Sequence, residues 1–252
     1  MPIKVPSPRS LASCALSSLV SLFVAGASLA EPVRIVGLGD SLMAGYNLGP
    51  TEGFVSVLER ELRETGLDVE VIGAGVSGDT STGGLARLEW SVPENADIVI
   101  VELGGNDALR GIAPEITRAN IDSIVNKLRV REQRPILAGI LAPPNMGADY
   151  EGAFNPIFSD VARERNVPLY PFFLDGAITV PGMMLDDGIH PSAAGVEVMV
   201  ERFLPTILPV IDEVIAERMS AAPGTTPPVD PATPAAPEGK VPEGTALEGT
   251  SG

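Results

Sequence analysis

Short runs of β-branched apolar residues alternate along the chain with longer stretches whose apolar positions recur every three or four residues. The short runs at 33–38, 69–73, 98–103, 136–141 and 167–172 predict strands. The longer ones at 54–65, 80–90, 113–131 and 150–165 predict amphipathic helices, and a last helix is expected to start near Ser192. The third and fourth strand candidates are nearly pure apolar, as expected where helices cover both faces of a parallel sheet. Alternating β and α units with right-handed crossovers lead to a three-layer α/β/α sandwich of about five parallel strands. Ligands bind such sheets beyond the C-terminal strand ends, so the residues just after each strand carry the functional question.

The two ends of the chain differ in composition from the middle. Residues 1–30 carry Lys4 and Arg9, then an uncharged apolar run from Leu11, and finish in Ser28-Leu29-Ala30 with small residues at both cleavage positions. This reads as a secretory signal peptide cleaved near Ala30, and hence as an exported protein, periplasmic or secreted. The competing reading is a membrane anchor, since the run approaches bilayer length; the interrupting serines and the small-x-small ending favour cleavage, and no stable anchor is expected. Leu11-Ala12-Ser13-Cys14 resembles a lipoprotein box but precedes the apolar region it should follow.

Residues 220–252 hold seven prolines, five glycines and no aromatic residue, a composition that predicts a disordered tail. A single domain is left, residues 31–219. Cys14 is the only cysteine and falls in the leader, so stability is expected from packing without disulfides. Lys4 and Arg9 are the only charged residues of the leader, so its loss leaves 15 basic residues against 33 acidic ones, a net charge near −18. That balance argues against nucleic acid or anionic lipid as a partner.

Four polar segments follow the strands. Gly39-Asp40-Ser41-Leu42 follows the first, Ser77-Gly78-Asp79-Thr80 the second, Gly104-Gly105-Asn106-Asp107 the third, and Asp187-Gly188-Ile189-His190-Pro191 precedes the last helix. His190 is the only histidine, so any Ser-His mechanism must use it and a multi-histidine metal site is excluded. Taken singly, His190 reads as a turn residue, Ser41 as a helix cap and Asn106 as turn chemistry. In combination they change meaning. An Asp-x-x-His turn brings the Asp187 carboxylate back to imidazole Nδ1 and leaves Nε2 to accept a proton from Ser41. A serine at a strand-to-helix turn exposes its Oγ and its own N–H, Gly78 lets its backbone N–H approach a ligand, and Asn106 offers a side-chain amide. Three such donors beside an activated hydroxyl make an oxyanion hole.

These four blocks, in order, resemble those of the SGNH (GDSL) hydrolases, and most closely the bacterial arylesterase and multifunctional acyl-CoA thioesterase/lysophospholipase branch. The similarity spans about 33–203. It implies a flavodoxin-like hydrolase fold in which Ser41, Gly78, Asn106 and His190 take the four named roles and Asp187 completes the triad. Asp186 is the neighbouring rival for the acid; the family's three-residue spacing favours Asp187. By the same resemblance the chain is a serine esterase working through an acyl-enzyme, with no cofactor or metal required. Short-chain or aryl esters are the expected small-molecule substrates, with acyl thioesters or lysophospholipids as the alternative.

Specificity is expected from the loops around 142–149 and 174–185, where Met146, Met183 and Met184 either line an acyl pocket or fill core gaps. Gly73-Ala74-Gly75-Val76-Ser77-Gly78 also satisfies a dinucleotide-binding pattern. It follows the second strand instead of the first, and the residues about 20 beyond Gly78 fall at the start of the third strand, where no ribose-binding acid is expected. Gly75-Val76-Ser77-Gly78-Asp79 misses the lipase elbow at its last position. A non-catalytic envelope-binding module is the competing class, and the intact triad argues against it.

Overall fold

The structure, a computed structural model, describes residues 31–221. The expected leader, 1–30, and the expected tail from residue 222 onward lie outside the described residues. Strands β1 (Val33–Gly39), β2 (Val69–Gly75), β3 (Ile98–Glu102), β4 (Arg134–Ala138) and β5 (Leu169–Tyr170) form one parallel sheet in the order β2-β1-β3-β4-β5. The chain leaves β1 for one neighbour and then returns to build the other side, so the strand order reverses at β1/β3. A right-handed crossover sends the helices before and after such a point to opposite faces and opens a crevice at the strand ends.

The register makes that crevice level. Gly39 pairs with Gly75 on one side and with Glu102 on the other, so three strands end in a row. Two of these terminal residues must be glycine for a helix to fit against them. A Cβ on Gly39 would sit 2.6 Å from Met43 Cβ, and one on Gly75 would sit 2.4 Å from the Ala44 nitrogen. Their absence lets a four-residue helix, α1 (Ser41–Ala44), start directly on the strand ends. A second short helix, α4 (Gly105–Leu109), succeeds β3 in the same way. Neither is long enough to show a helical period in sequence.

The longer helices conform to their apolar stripes. In α2 (Phe54–Glu64) the buried positions are Phe54, Val57, Leu58 and Leu62, the three- and four-residue spacing of one face. α2 packs with α8 (Ala193–Ala221); α3 (Ser81–Ser91) packs with α5 (Pro114–Val130), and α5 with α7 (Ile157–Arg165). Between α2 and α8, Phe54 meets Phe173 edge-on at 4.7 Å and Phe203 at 5.5 Å. Each such ring contributes about 1.5–3 kcal/mol by burial.

The structure departs from the expected elements at several points. The stretch 150–165 is two helices, α6 (Ala148–Phe154) and α7, because Pro156 has no N–H to continue the ladder. β5 is two residues long, held between Pro168 and Pro171. β4 begins two residues early and ends at Ala138, so Ile140 to Ala142 leave the sheet; there the Ala142 N–H donates to Asn155 Oδ1 at 2.8 Å. In addition, α8 carries Pro205 and Pro209 and runs to Ala221, two residues beyond the boundary expected at Met219.

Candidate active site

Asp40 caps α1: its side chain accepts from the Leu42 N–H at 3.0 Å, and Gly45 ends the helix in the left-handed region with φ 70°. Ser41 is therefore the first residue of a helix set on the end of β1, with its backbone N–H among those that have no partner within the helix. Its Oγ lies 2.8 Å from His190 Nε2.

The histidine is held by a local turn. Asp187 Oδ1 accepts from the N–H groups of Ile189 and His190 at 2.9 and 3.0 Å, and Oδ2 lies 2.7 Å from His190 Nδ1. The His190 bonds, backbone first and ring second, and then that of Ile189, lower the Asp187 carboxyl to about 2. An ionised carboxylate at Nδ1 requires the ring proton there, which leaves the Nε2 lone pair toward Ser41. The turn itself is anchored by Leu185 N–H to His190 O at 2.8 Å and Ser192 N–H to Met183 O at 2.9 Å. Tyr46 lies against the imidazole with centroids 4.3 Å apart and planes tilted by 31°. Of the two aspartates that compete in sequence, Asp187 is the one that meets the imidazole.

On the other side of Ser41 stand the loops after β2 and β3. Gly78 has φ 81°, a conformation that suits a residue without Cβ, and its carbonyl accepts from Arg110 at 2.8 Å. Asn106, in α4, donates from Nδ2 to Asp40 Oδ2 at 2.9 Å. Ser41, Gly78, Asn106 and His190 line one cavity of about 640 Å³, and Asp187 stands behind the histidine. The remaining wall is mostly apolar, with Leu109, Ile140, Pro143, Phe172 and Ile178 among it. The loops expected to shape it do so only at their beginnings, through Ala142 to Pro144 and through Leu174 and Ile178. The methionines lie elsewhere: Met183 and Met184 pack against the core, and Met146 ends a 3-10 turn, so the core reading holds for Met183 and Met184 and the acyl-pocket reading fails for all three.

Several supporting residues escape a sequence reading. Arg87 is 5% exposed, and its guanidinium donates to Gly39 O and Ala74 O, each at 2.8 Å, and to Asp79 Oδ2 at 2.6 Å. It clamps the ends of β1 and β2 and the loop after β2. Asp107, fully buried, accepts from the Ser81 N–H at 2.8 Å, the Ser81 hydroxyl and the Thr117 hydroxyl. Glu102, also fully buried, accepts the Asp40 N–H at 3.2 Å through Oε2, while its Oε1 has no partner among the described residues. Burial first, and then the charge of Asp40, push the Glu102 carboxyl well above its ordinary range. Nothing in the sequence separates these buried polar groups from solvated ones.

A family model described as the GDSL-like lipase/acylhydrolase family matches residues 38–198, the whole span from the first strand end to the last helix. The chain belongs to this family. Among its relatives, esterase TesA of Pseudomonas aeruginosa is 40% identical over 197 residues, covering 78% of this chain and 98% of that protein. The thioesterase 1/protease 1/lysophospholipase L1 of Escherichia coli K12 is 39% identical, covering 62% and 74%. The crystal structure of AlinE4, an SGNH-hydrolase family esterase, superposes with a TM-score of 0.61 at 38% identity, covering 76% of this chain and 99% of that one. The GDSL segment that characterises the family is Gly39-Asp40-Ser41-Leu42 here, the turn that carries the serine onto the sheet edge.

Proposed function

We propose that the protein is a serine esterase that hydrolyses carboxylic esters through an acyl-enzyme, with Ser41 as nucleophile, His190 as general base and acid, and Asp187 holding the imidazole. The observation that carries this reading is the continuous Asp187–His190–Ser41 chain, with links of 2.7 and 2.8 Å, at the mouth of an apolar cavity. Ser41 Oγ attacks the ester carbonyl as His190 Nε2 takes its proton, and Asp187 stabilises the imidazolium that forms. The developing oxyanion is received by the N–H groups of Ser41 and Gly78 and by the Asn106 amide. His190 then protonates the leaving alcohol and deprotonates the water that releases the acid.

The apolar wall suits an acyl or aryl group and offers no charged side chain of its own beyond the catalytic end. Short-chain or aryl esters are the first substrate class. Acyl thioesters and lysophospholipids are the second, favoured by the resemblance to the Escherichia coli thioesterase/lysophospholipase. Export is proposed as well, on the pattern of residues 1–30; among the described residues no helix is long and apolar enough to cross a membrane.

The decisive experiment is a chain-length series of p-nitrophenyl esters assayed beside an acyl thioester. Turnover that peaks at short or aryl acyl groups supports the first class, and preference for long-chain thioesters the second. No turnover of any of them, by protein of native secondary structure, overturns the esterase reading.

A further inference from the structure

Asp40 has no part in the proton transfers, yet it touches both halves of the site. It is 2% exposed, and both of its carboxylate oxygens are engaged. Oδ1 accepts from the Leu42 N–H at 3.0 Å and so caps the helix that begins with Ser41. Oδ2 accepts from Asn106 Nδ2 at 2.9 Å, across 66 positions of sequence. Its own N–H is taken by Glu102 Oε2 at 3.2 Å, so the residue is pinned from behind as well.

A side-chain amide carries two N–H bonds at a fixed angle, so holding one sets the direction of the other. The last torsion of Asn is broad and roughly two-fold, and an amide without a partner turns about it. A carboxylate is the acceptor that removes this freedom. If Asn106 turned over, its Oδ1 would face Asp40 Oδ2, acceptor against acceptor, so only one orientation is bonded. Burial raises the Asp40 carboxyl, and the N–H groups of Leu42 and Asn106 act against that rise by bonding the ionised form.

We infer that Asp40 is a positioning residue: its carboxylate fixes the Asn106 amide so that the second N–H faces the reacting carbonyl, and the same carboxylate ties that amide to the Ser41 turn. Nucleophile and oxyanion donor are then set against each other by one side chain, and neither depends on loop position alone. A helix cap that did nothing else would change stability and leave kcat untouched. The inference rests on the proposed role of Asn106 as an oxyanion donor, and the test separates the two.

The test is a double-mutant cycle on Asp40→Asn and Asn106→Ala, measured by kcat and KM for p-nitrophenyl acetate and by melting temperature. Asn106→Ala is expected to lower kcat by about 10² to 10³ with KM within a few-fold. Asp40→Asn, which offers an NH2 or sacrifices the cap, is expected to lower kcat by about 10- to 100-fold with KM little changed. In the Asn106→Ala background the same change should lower kcat by no more than about 3-fold, because the group it positions is gone. Equal losses in the two backgrounds overturn the inference while leaving Asn106 in its role; an Asn106→Ala enzyme with wild-type kcat overturns both. If Asp40→Asn does not fold, the wild-type enzyme still decides the matter by ¹⁵N-resolved spectra of the Asn106 amide. One amide proton should be protected from exchange, and the other alone should shift when a phosphonate inhibitor occupies Ser41. Two equally exchanging protons overturn the proposal.

Discussion

His190 Nε2 lies 2.8 Å from Ser41 Oγ although 149 positions separate the two residues. The serine is placed by the end of β1, and the histidine by a turn that the Asp187 carboxylate closes with three hydrogen bonds. Neither residue touches the other's supporting element in sequence, so their meeting is a product of the sheet order that brings the strand ends together.

Removal of the proposed nucleophile is the first test of that meeting. Ser41→Ala is expected to lower kcat by roughly 10⁴ to 10⁶ with the circular-dichroism spectrum unchanged, because a nucleophile and its base act as a unit. Hydrolysis of p-nitrophenyl acetate at the wild-type rate would show that another group attacks.

The two adjacent aspartates give an internal control. Asp187→Asn should cost on the order of 10⁴ in kcat, since the amide leaves His190 without a charge at Nδ1 and admits the wrong tautomer. Asp186→Asn should stay within a few-fold of wild type. The reverse ranking would mean that the acid of the triad is Asp186.

Glu102 gives the pH prediction. Its carboxyl is raised above the unfolded value, about 4.3, chiefly by burial. A carboxyl raised on folding contributes stability that is fully present below the unfolded value and is lost as pH rises through the folded one. Glu102→Gln keeps the shape without the ionisation. Urea midpoints of this variant and of wild type, measured from pH 4 to 9, should therefore move apart in favour of the variant as pH rises; a constant gap would mean that Glu102 does not titrate on a shifted curve.

Arg87 should matter for stability more than any exposed arginine of the chain. Its bonds to two strand-end carbonyls and its pairing with Asp79 are shielded from solvent, with side-chain exposures of 7% and 12% for Arg87 and Asp79. Arg87→Met takes the guanidinium away from Asp79 Oδ2, Ala74 O and Gly39 O, and leaves the Asp79 carboxylate without its cation; it should cost about 3–5 kcal/mol in urea unfolding. A loss below about 1 kcal/mol would show that water replaces the guanidinium at no penalty.

What can be read from the sequence is local. The periods of the apolar residues place all five strands and most of the helices, and an Asp-x-x-His turn needs only four consecutive residues to show its geometry. The four polar blocks can be assigned to one sheet edge because a parallel α/β sheet sends every strand end the same way. Pro156 and the prolines around β5 are visible as residues, yet amphipathic spacing continues across them and hides their effect.

The rest required the register. Asp40 and Asn106 meet because Gly39 and Glu102 end level on paired strands, and Arg87 reaches Gly39 and Ala74 only because β1 and β2 end level in the same way. The pocket wall is drawn from chain that leaves β3, β4 and β5, and the methionines that local composition offered for it pack elsewhere. Amino-acid order determines which groups can do chemistry, because that depends on residue type and short spacing. Which buried polar groups hold them in place was decided by the tertiary structure, because a carboxylate or guanidinium shows its partner only when distant strands have come into register.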